Sequence, residues 1–173
     1  MTSRESITSQ TRVSAADRML TTEPVVIGQS DSLDAIAQRA VQNPNCRVIS
    51  VIDEDGRLVG LVPVRMLVND IFLKIVPEEF LGEIADLDAA LEYAQHIAAR
   101  TAADIMIDPV SVRPDETVRT AFEVMHHNRM NGLPITDDDR HVIGYLDMLE
   151  LLLVWLRSTG RETLLRPTDE PAR

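Results

Sequence analysis

The strongest constraint on this chain is that it carries one pattern of residues twice, about 85 positions apart. Residues 16–72 and 103–155 share the same order of apolar runs, helix starts and turn residues. Asp17 and Met19 align with Asp104 and Met106 at an offset of 87, Pro24 with Pro109 at 85, and Asp53 and Gly60 with Asp137 and Gly144 at 84. The offset shrinks only inside expected loops. A tandem repeat of one supersecondary unit implies a pseudo-symmetric pair, and such a pair has a cleft between its halves.

Each copy predicts a short strand behind a proline, Pro24-Val25-Val26-Ile27 or Pro109-Val110-Ser111-Val112, followed by a helix N-cap at Ser30 or Asp115. Leu33, Ile36, Ala37, Ala40 and Val41 in the first copy, and Val118, Ala121, Phe122 and Met125 in the second, recur at helical spacing and predict one buried stripe each. The strand runs Val48–Ile52 and Leu133–Thr136 are each closed by an acidic turn. With Leu58–Val62 and Val142–Leu146 they read as β-hairpins. A second apolar helix ends each copy, through Leu67, Val68, Ile71 and Phe72 or through Leu149, Leu152, Leu153 and Leu156.

This doubled order of strand, helix, strand, strand, helix, with a glycine in the second hairpin strand, resembles a tandem pair of cystathionine β-synthase (CBS) domains, a Bateman module. The resemblance covers residues 14–157 and implies a mixed α/β (α+β) fold of two β-α-β-β-α units. The expected organisation is a flexible tail at 1–13, a first CBS unit at 14–75, an inserted linker helix at 76–100, a second CBS unit at 101–157 and a flexible tail at 158–173. The inserted helix is read from Pro77, which suits a first helical position, and from Phe80, Ile84, Leu87, Leu91, Ala94 and Ala98 at steps of three and four.

Composition narrows the function classes. With 28 acidic against 17 basic residues the formal charge is −11, and no basic run concentrates positive charge, so nucleic acid is not an expected partner. Only 3% of residues are aromatic, too few for a base-stacking platform. The single cysteine, Cys46, excludes an internal disulfide framework and fits a reducing compartment. Met1 to Val13 is Ser- and Thr-rich without an apolar core, and Leu149 to Leu156 is short and interrupted by Glu150, so the expectation is a cytoplasmic protein without membrane insertion.

In the resembled family, an adenosyl ligand lies in the cleft and its ribose is held by the acid of a Gly-x-x-Thr/Ser-x-x-Asp pattern. The first copy reads Gly60-Leu61-Val62-Pro63-Val64-Arg65-Met66, with proline for the hydroxyl residue and Met66 for the acid. The second reads Gly144-Tyr145-Leu146-Asp147-Met148-Leu149-Glu150, which keeps a carboxylate but places Asp147 where phosphate would meet it. The resemblance therefore implies one better site from Thr21, Thr22, Val26, Cys46, Arg47, Val48, Asp147 and Glu150. Its degenerate mirror would use Asp108, Val110, Asn131, Gly132 and Met66.

No phosphate-cradling glycine loop, nucleophile elbow or metal-binding His-Glu-x-x-His is present, so neither catalysis nor a required cofactor is expected. His126 and His127 are adjacent and point about 100° apart on a helix, which disfavours a shared metal. His96 and His141 read as surface residues, and Cys46 beside Arg47 as a packed thiol rather than a nucleophile. Three functions follow. One is a non-catalytic regulatory module that binds AMP, ADP, ATP or S-adenosylmethionine and acts on a client enzyme, channel or transporter. The second is a ligand-free module that assembles as a homodimer. The third is a magnesium sensor, using the acidic surplus, the Asp137-Asp138-Asp139 turn and the Asp147/Glu150 pair.

Overall fold

The computed structural model of the chain describes residues 7–75 and 100–159. The expected inserted helix, apart from Arg100, lies outside the described residues, as do residues 1–6 and 160–173. The first half runs α1 (Val13–Asp17), β1 (Val26–Gly28), α2 (Leu33–Gln42), β2 (Val48–Ile52), β3 (Leu58–Pro63) and α3 (Val64–Ile75). The second runs α4 (Ala102–Ile105), α5 (Val118–His127), β4 (Gly132–Thr136), β5 (Val142–Asp147) and α6 (Met148–Ser158).

Both hairpins form in equivalent registers. Gly60 faces Val51 and Gly144 faces Ile135, and each hairpin shifts register at the same place, between Val51 and Ile52 or between Ile135 and Thr136. The third strand is where the copies differ. In the first half β1 pairs in parallel with β2, whereas residues 109–112 form only an isolated bridge between Val112 and Ile135. Ser50 donates its N–H to the Val25 carbonyl at 2.9 Å, but its equivalent is Pro134, which has no N–H, so that rung of the ladder is missing.

The helix starts fall two residues beyond the expected caps. Ser32, not Ser30, accepts the Ala35 N–H at 3.3 Å, and Thr117, not Asp115, accepts the Thr120 N–H at 3.2 Å. In both copies an acidic side chain closes the preceding turn: Asp31 accepts the Gly28 N–H and Glu116 accepts the Arg113 N–H. These turns carry the chain past the expected positions before the helix begins. Leu33, Ile36 and Ala40 are buried on α2, and Val118, Ala121 and Met125 on α5. Val41 (79% exposed) and Phe122 (37%) were expected on those stripes but sit at their outer edges.

The halves interlock by exchanging their short first helices. Val13 donates its N–H to the Glu116 carbonyl and Ala102 donates its own to the Asp31 carbonyl, so α1 is anchored to the second half and α4 to the first. Matching bridges join Arg12 to Thr117 and Ser32 to Thr101, while Arg57 bridges His141, its own equivalent at an offset of 84, as a residue pair on the pseudo-twofold axis must. The hairpin glycines admit these helices. A Cβ at Gly60 would lie 2.5 Å from Met106 Sδ, and one at Gly144 would lie 2.7 Å from Asp17 Oδ1.

Residues 7–12, expected as part of a mobile tail, belong to this interlock. Ile7 is buried, and the carbonyls of Ser9 and Thr11 accept the N–H groups of Arg119 and Val118. One apolar core runs through both halves, including Ile36, Ile49 and Leu61 from the first and Met125, Leu133 and Leu146 from the second. Burying each such side chain contributes roughly 1.5–3 kcal/mol.

Candidate functional site at the seam between the halves

The chain order that ends β5 and starts α6 places two carboxylates on one turn. Asp147 caps α6, its Oδ1 accepting the N–H groups of Leu149 at 2.9 Å and Glu150 at 3.0 Å. The cap fixes Glu150 in the first turn, pointing across the seam. Its carboxylate accepts the Thr21 N–H at 3.2 Å, the Thr21 hydroxyl, and the Thr22 N–H at 3.0 Å. Burial alone would raise the Glu150 pKa, but these donors outweigh it and hold the group below its ordinary value. A carboxylate of the second half thus ties down the segment leading into β1 of the first.

A second tie lies beside it. Tyr145 is fully buried, and its hydroxyl accepts the N–H groups of Arg47 at 3.1 Å and Val48 at 3.2 Å, where β2 begins in the other half. Burial pushes its pKa up, so the phenol stays neutral. The ring has room because residue 132 is glycine: a Cβ there would stand 2.0 Å from the Tyr145 hydroxyl oxygen. Arg47 Nε also faces Asp147 Oδ2 at 3.4 Å, with the Asp147 side chain only 4% exposed. The phosphate-facing position expected for Asp147 is therefore a buried helix cap paired with an arginine.

Arg47 also lines an open cleft of about 300 Å³ on the seam. Its walls include Cys46 and Val48 at the start of β2, Pro63 and Arg65 at the start of α3, and Arg129 and Asn131 before β4. The residues expected to form the better site are thus gathered in two adjoining groups. Thr21, Thr22 and Glu150 are bonded to one another, Cys46, Arg47 and Val48 line the cleft, and Asp147 touches both groups. Val26 lies apart from those contacts, its carbonyl accepting from Arg39.

The expected mirror set is dispersed. Asn131 joins the cleft of the first set, Gly132 is covered by Tyr145, Asp108 is exposed, Val110 is half-buried, and Met66 has no carboxylate with which to repeat the Glu150 tie. Cys46 is buried, donates to the Val48 carbonyl at 3.2 Å, and has its thiol pKa raised chiefly by burial. The acidic turn is engaged internally, with Asp137 accepting the N–H groups of Asp139 and His141 and Asp138 pairing with Arg113. Among the described residues no group of three or more His, Cys, Asp or Glu is placed to hold a metal ion. Reading the sequence missed Tyr145, Arg65 and Arg129. Only their lack of a place in the repeat could have drawn notice, since Tyr145 aligns with Leu61 and Arg129 with Asn45.

Comparison with known proteins agrees with the doubled fold. The CBS domain family model matches residues 15–72 and 102–156. A CBS domain-containing protein from Thermotoga maritima superposes with a TM-score of 0.66 at 24% identity, covering 84% of this chain and 94% of that one. The CBS domain pair of protein MJ0100, solved with 5′-methylthioadenosine and S-adenosyl-L-methionine, superposes at 0.60 with 21% identity, covering 88% and 98%. Among curated sequences, uncharacterized protein MJ1426 of Methanocaldococcus jannaschii is 25% identical over 76% of this chain and 87% of its own length. The inosine-5′-monophosphate dehydrogenase of Aquifex aeolicus is 34% identical over 50 residues, which span only 10% of that enzyme. No helix among the described residues is long and apolar enough to cross a membrane. Two family-model matches, one on each half of an interlocked pseudo-symmetric fold, settle the identity: the chain belongs to the CBS-domain family, as a tandem pair.

Proposed function

We propose that the chain is a non-catalytic regulatory module that binds an adenosine-containing ligand at the seam and passes a change in the fit of its halves to a client enzyme, channel or transporter. The observation that carries this reading is the Glu150 tie, a carboxylate held across the seam by backbone N–H groups and a hydroxyl of the other half. Ribose hydroxyls are donors of the same kind. A nucleoside that takes over the carboxylate releases Thr21 and Thr22, and with them the segment feeding β1. Hydrogen bonds to a charged group are worth roughly 1.5–3 kcal/mol each, so exchanging donors costs little net energy while changing which segments are restrained. The MJ0100 complex, in which a domain pair of the same fold holds adenosyl compounds, supports the choice of ligand class.

Isothermal titration calorimetry of the whole chain with adenosine, AMP and S-adenosylmethionine tests this. The expected result is saturable binding that Glu150→Ala weakens tenfold or more, about 1.4 kcal/mol. Binding that is indifferent to Glu150, or no binding to any of the three, contradicts it.

A specific surface supports assembly as a second reading. Leu149, Leu152 and Trp155 on α6 and Phe122 on α5 are each at least 36% exposed, and with Ile7 and Leu151 several of them border an apolar groove of about 420 Å³. Val41 and Val68 make the matching exposed edge between α2 and α3. A homodimer burying these faces covers apolar surface that a monomer leaves in water.

A further inference from the structure

The apolar groove between α5 and α6 has a volume of about 420 Å³, against about 260 Å³ for its counterpart between α2 and α3. The difference begins in the sequence: Phe122, Leu149, Leu152 and Trp155 stand where the first half has Ala37, Arg65, Val68 and Ile71. At these positions the second half carries the larger apolar face, and Leu149 and Leu152 are 50% and 43% exposed on it. One end of the groove is walled by the chain itself, through Ile7, Thr8 and Ser9, with Ile7 only 4% exposed. An aliphatic side chain from a terminal segment is thus an occupant that this groove accepts.

The other end of the chain leaves beside the same groove. Thr159 is the C-cap of α6, its N–H donating to the Trp155 carbonyl at 3.1 Å, and residues 160–173 follow it. Gly160 comes one position past that cap, where glycine permits the chain to reverse. The only large apolar side chains beyond it are the adjacent Leu164 and Leu165. Leu152 lies about 10 Å back along the helix from Thr159, and five extended residues span up to about 17 Å, so Leu164 reaches it after a reversal. Charge favours this occupant over a second copy. The side chains of 160–173 sum to zero, Arg161, Arg166 and Arg173 against Glu162, Asp169 and Glu170, whereas another copy brings −11. The charges of the groove, Arg119 and Glu123, are paired with each other at 3.0 Å and ask for no counter-ion.

We infer that the C-terminal segment lays Leu164 and Leu165 into the α5/α6 groove, so that the chain covers its own apolar face and a partner gains that face only by displacing the tail. The inference rests on the assembly reading for what the tail excludes, while the docking stands on the groove and the reach of the segment. α6 also carries Glu150 in its first turn, tied to Thr21 and Thr22. The helix that bears the tail at one end therefore holds the seam at the other.

Trp155 is the single tryptophan of the chain, so its emission reports on this groove alone. The test compares the whole parent chain with Leu164→Ser/Leu165→Ser by tryptophan emission, acrylamide quenching and sedimentation over a wide range of protein concentration. Neither residue belongs to the apolar core of the described residues, and a melting curve checks the fold. At a concentration where both are monomeric, the parent is expected to emit at short wavelength with little quenching. The double variant should emit at longer wavelength with a quenching constant at least twofold higher, and should self-associate at concentrations where the parent stays monomeric. Equal quenching of parent and variant overturns the inference. Protection of Trp155 found only in a dimer also overturns it, and assigns the groove to a second copy. Tail-dependent protection in a variant that stays monomeric at every concentration keeps the docking and removes the assembly reading.

Discussion

Gly132→Ala puts the interlock of the two halves to a quantitative test. The added Cβ would lie 2.0 Å from the Tyr145 hydroxyl oxygen, 2.6 Å from Cζ and 3.0 Å from the Leu146 carbonyl oxygen, the last being backbone of the same hairpin. Tyr145 is fully buried, so any shift of its ring is made against core neighbours rather than into solvent. Overpacking of this kind costs about 1–3 kcal/mol. Displacing the hydroxyl also breaks its bonds from the Arg47 and Val48 N–H groups, at about 0.5–1.5 kcal/mol each. Replacing a strand glycine returns about 0.5 kcal/mol through the unfolded chain. The sum is a loss of about 3 kcal/mol, a large part of the 5–15 kcal/mol that stabilises a typical domain. For a chain of this size the melting temperature should fall by roughly 6–12 °C, measured by circular dichroism. Gly132→Ala/Tyr145→Leu removes the clashing hydroxyl oxygen and Cζ and should cost less than the sum of the single substitutions, by about 1 kcal/mol or more. A melting point for Gly132→Ala within about 1 °C of the parent, or strict additivity in the pair, would refute the claim that glycine at 132 exists to seat Tyr145.

Asp147→Ala should lower stability by about 1–2 kcal/mol through loss of the α6 cap, and Asp147→Asn, which still accepts from Leu149 and Glu150, should recover most of it in urea unfolding. Glu150 is held below its ordinary pKa in the folded state, so its contribution is complete above the unfolded value of about 4.3 and is lost as pH falls through the lower folded value. Glu150→Gln should accordingly flatten the acid limb of the stability profile, and a limb of unchanged slope argues against the tie. Met66→Ala, at a half-buried position with no carboxylate, should lower the melting temperature without altering adenosine affinity; an affinity loss equal to that of Glu150→Ala would place the live pocket elsewhere. If α6 supports a dimer, Leu152→Glu/Trp155→Glu should shift the mass measured by sedimentation to that of a monomer, whereas an unchanged mass removes this face from the interface.

Much of the fold was legible because the duplication is a fact of residue order. The hairpins, their glycines and the two long helices of each half follow from local spacing, and the paired offsets of 84 recur in the observed registers. The caps fall two residues beyond Ser30 and Asp115 because the side chains of Asp31 and Glu116 close a turn before each helix, which local residue preference does not distinguish from a helix start. The lost third strand was visible in principle, since Pro134 cannot donate where Ser50 does, but only once its register partner was known.

The candidate site divides in the same way. Glu150 and Arg47 could be named because the resemblance to CBS-domain pairs implies which helix start faces which strand. Tyr145, Arg65 and Arg129 could not, because their roles depend on which half each reaches. The sequence alone determined a doubled unit with unequal copies, since proline in place of serine, or methionine in place of glutamate, changes donors and acceptors wherever the residue sits. Only the tertiary structure decided that the first helices exchange halves, that Tyr145 occupies the amides at the head of β2, and that three arginines distant in the chain share one cleft. Those are contacts across a pseudo-twofold axis, and the position of that axis is set by packing of the whole core rather than by any local run of residues.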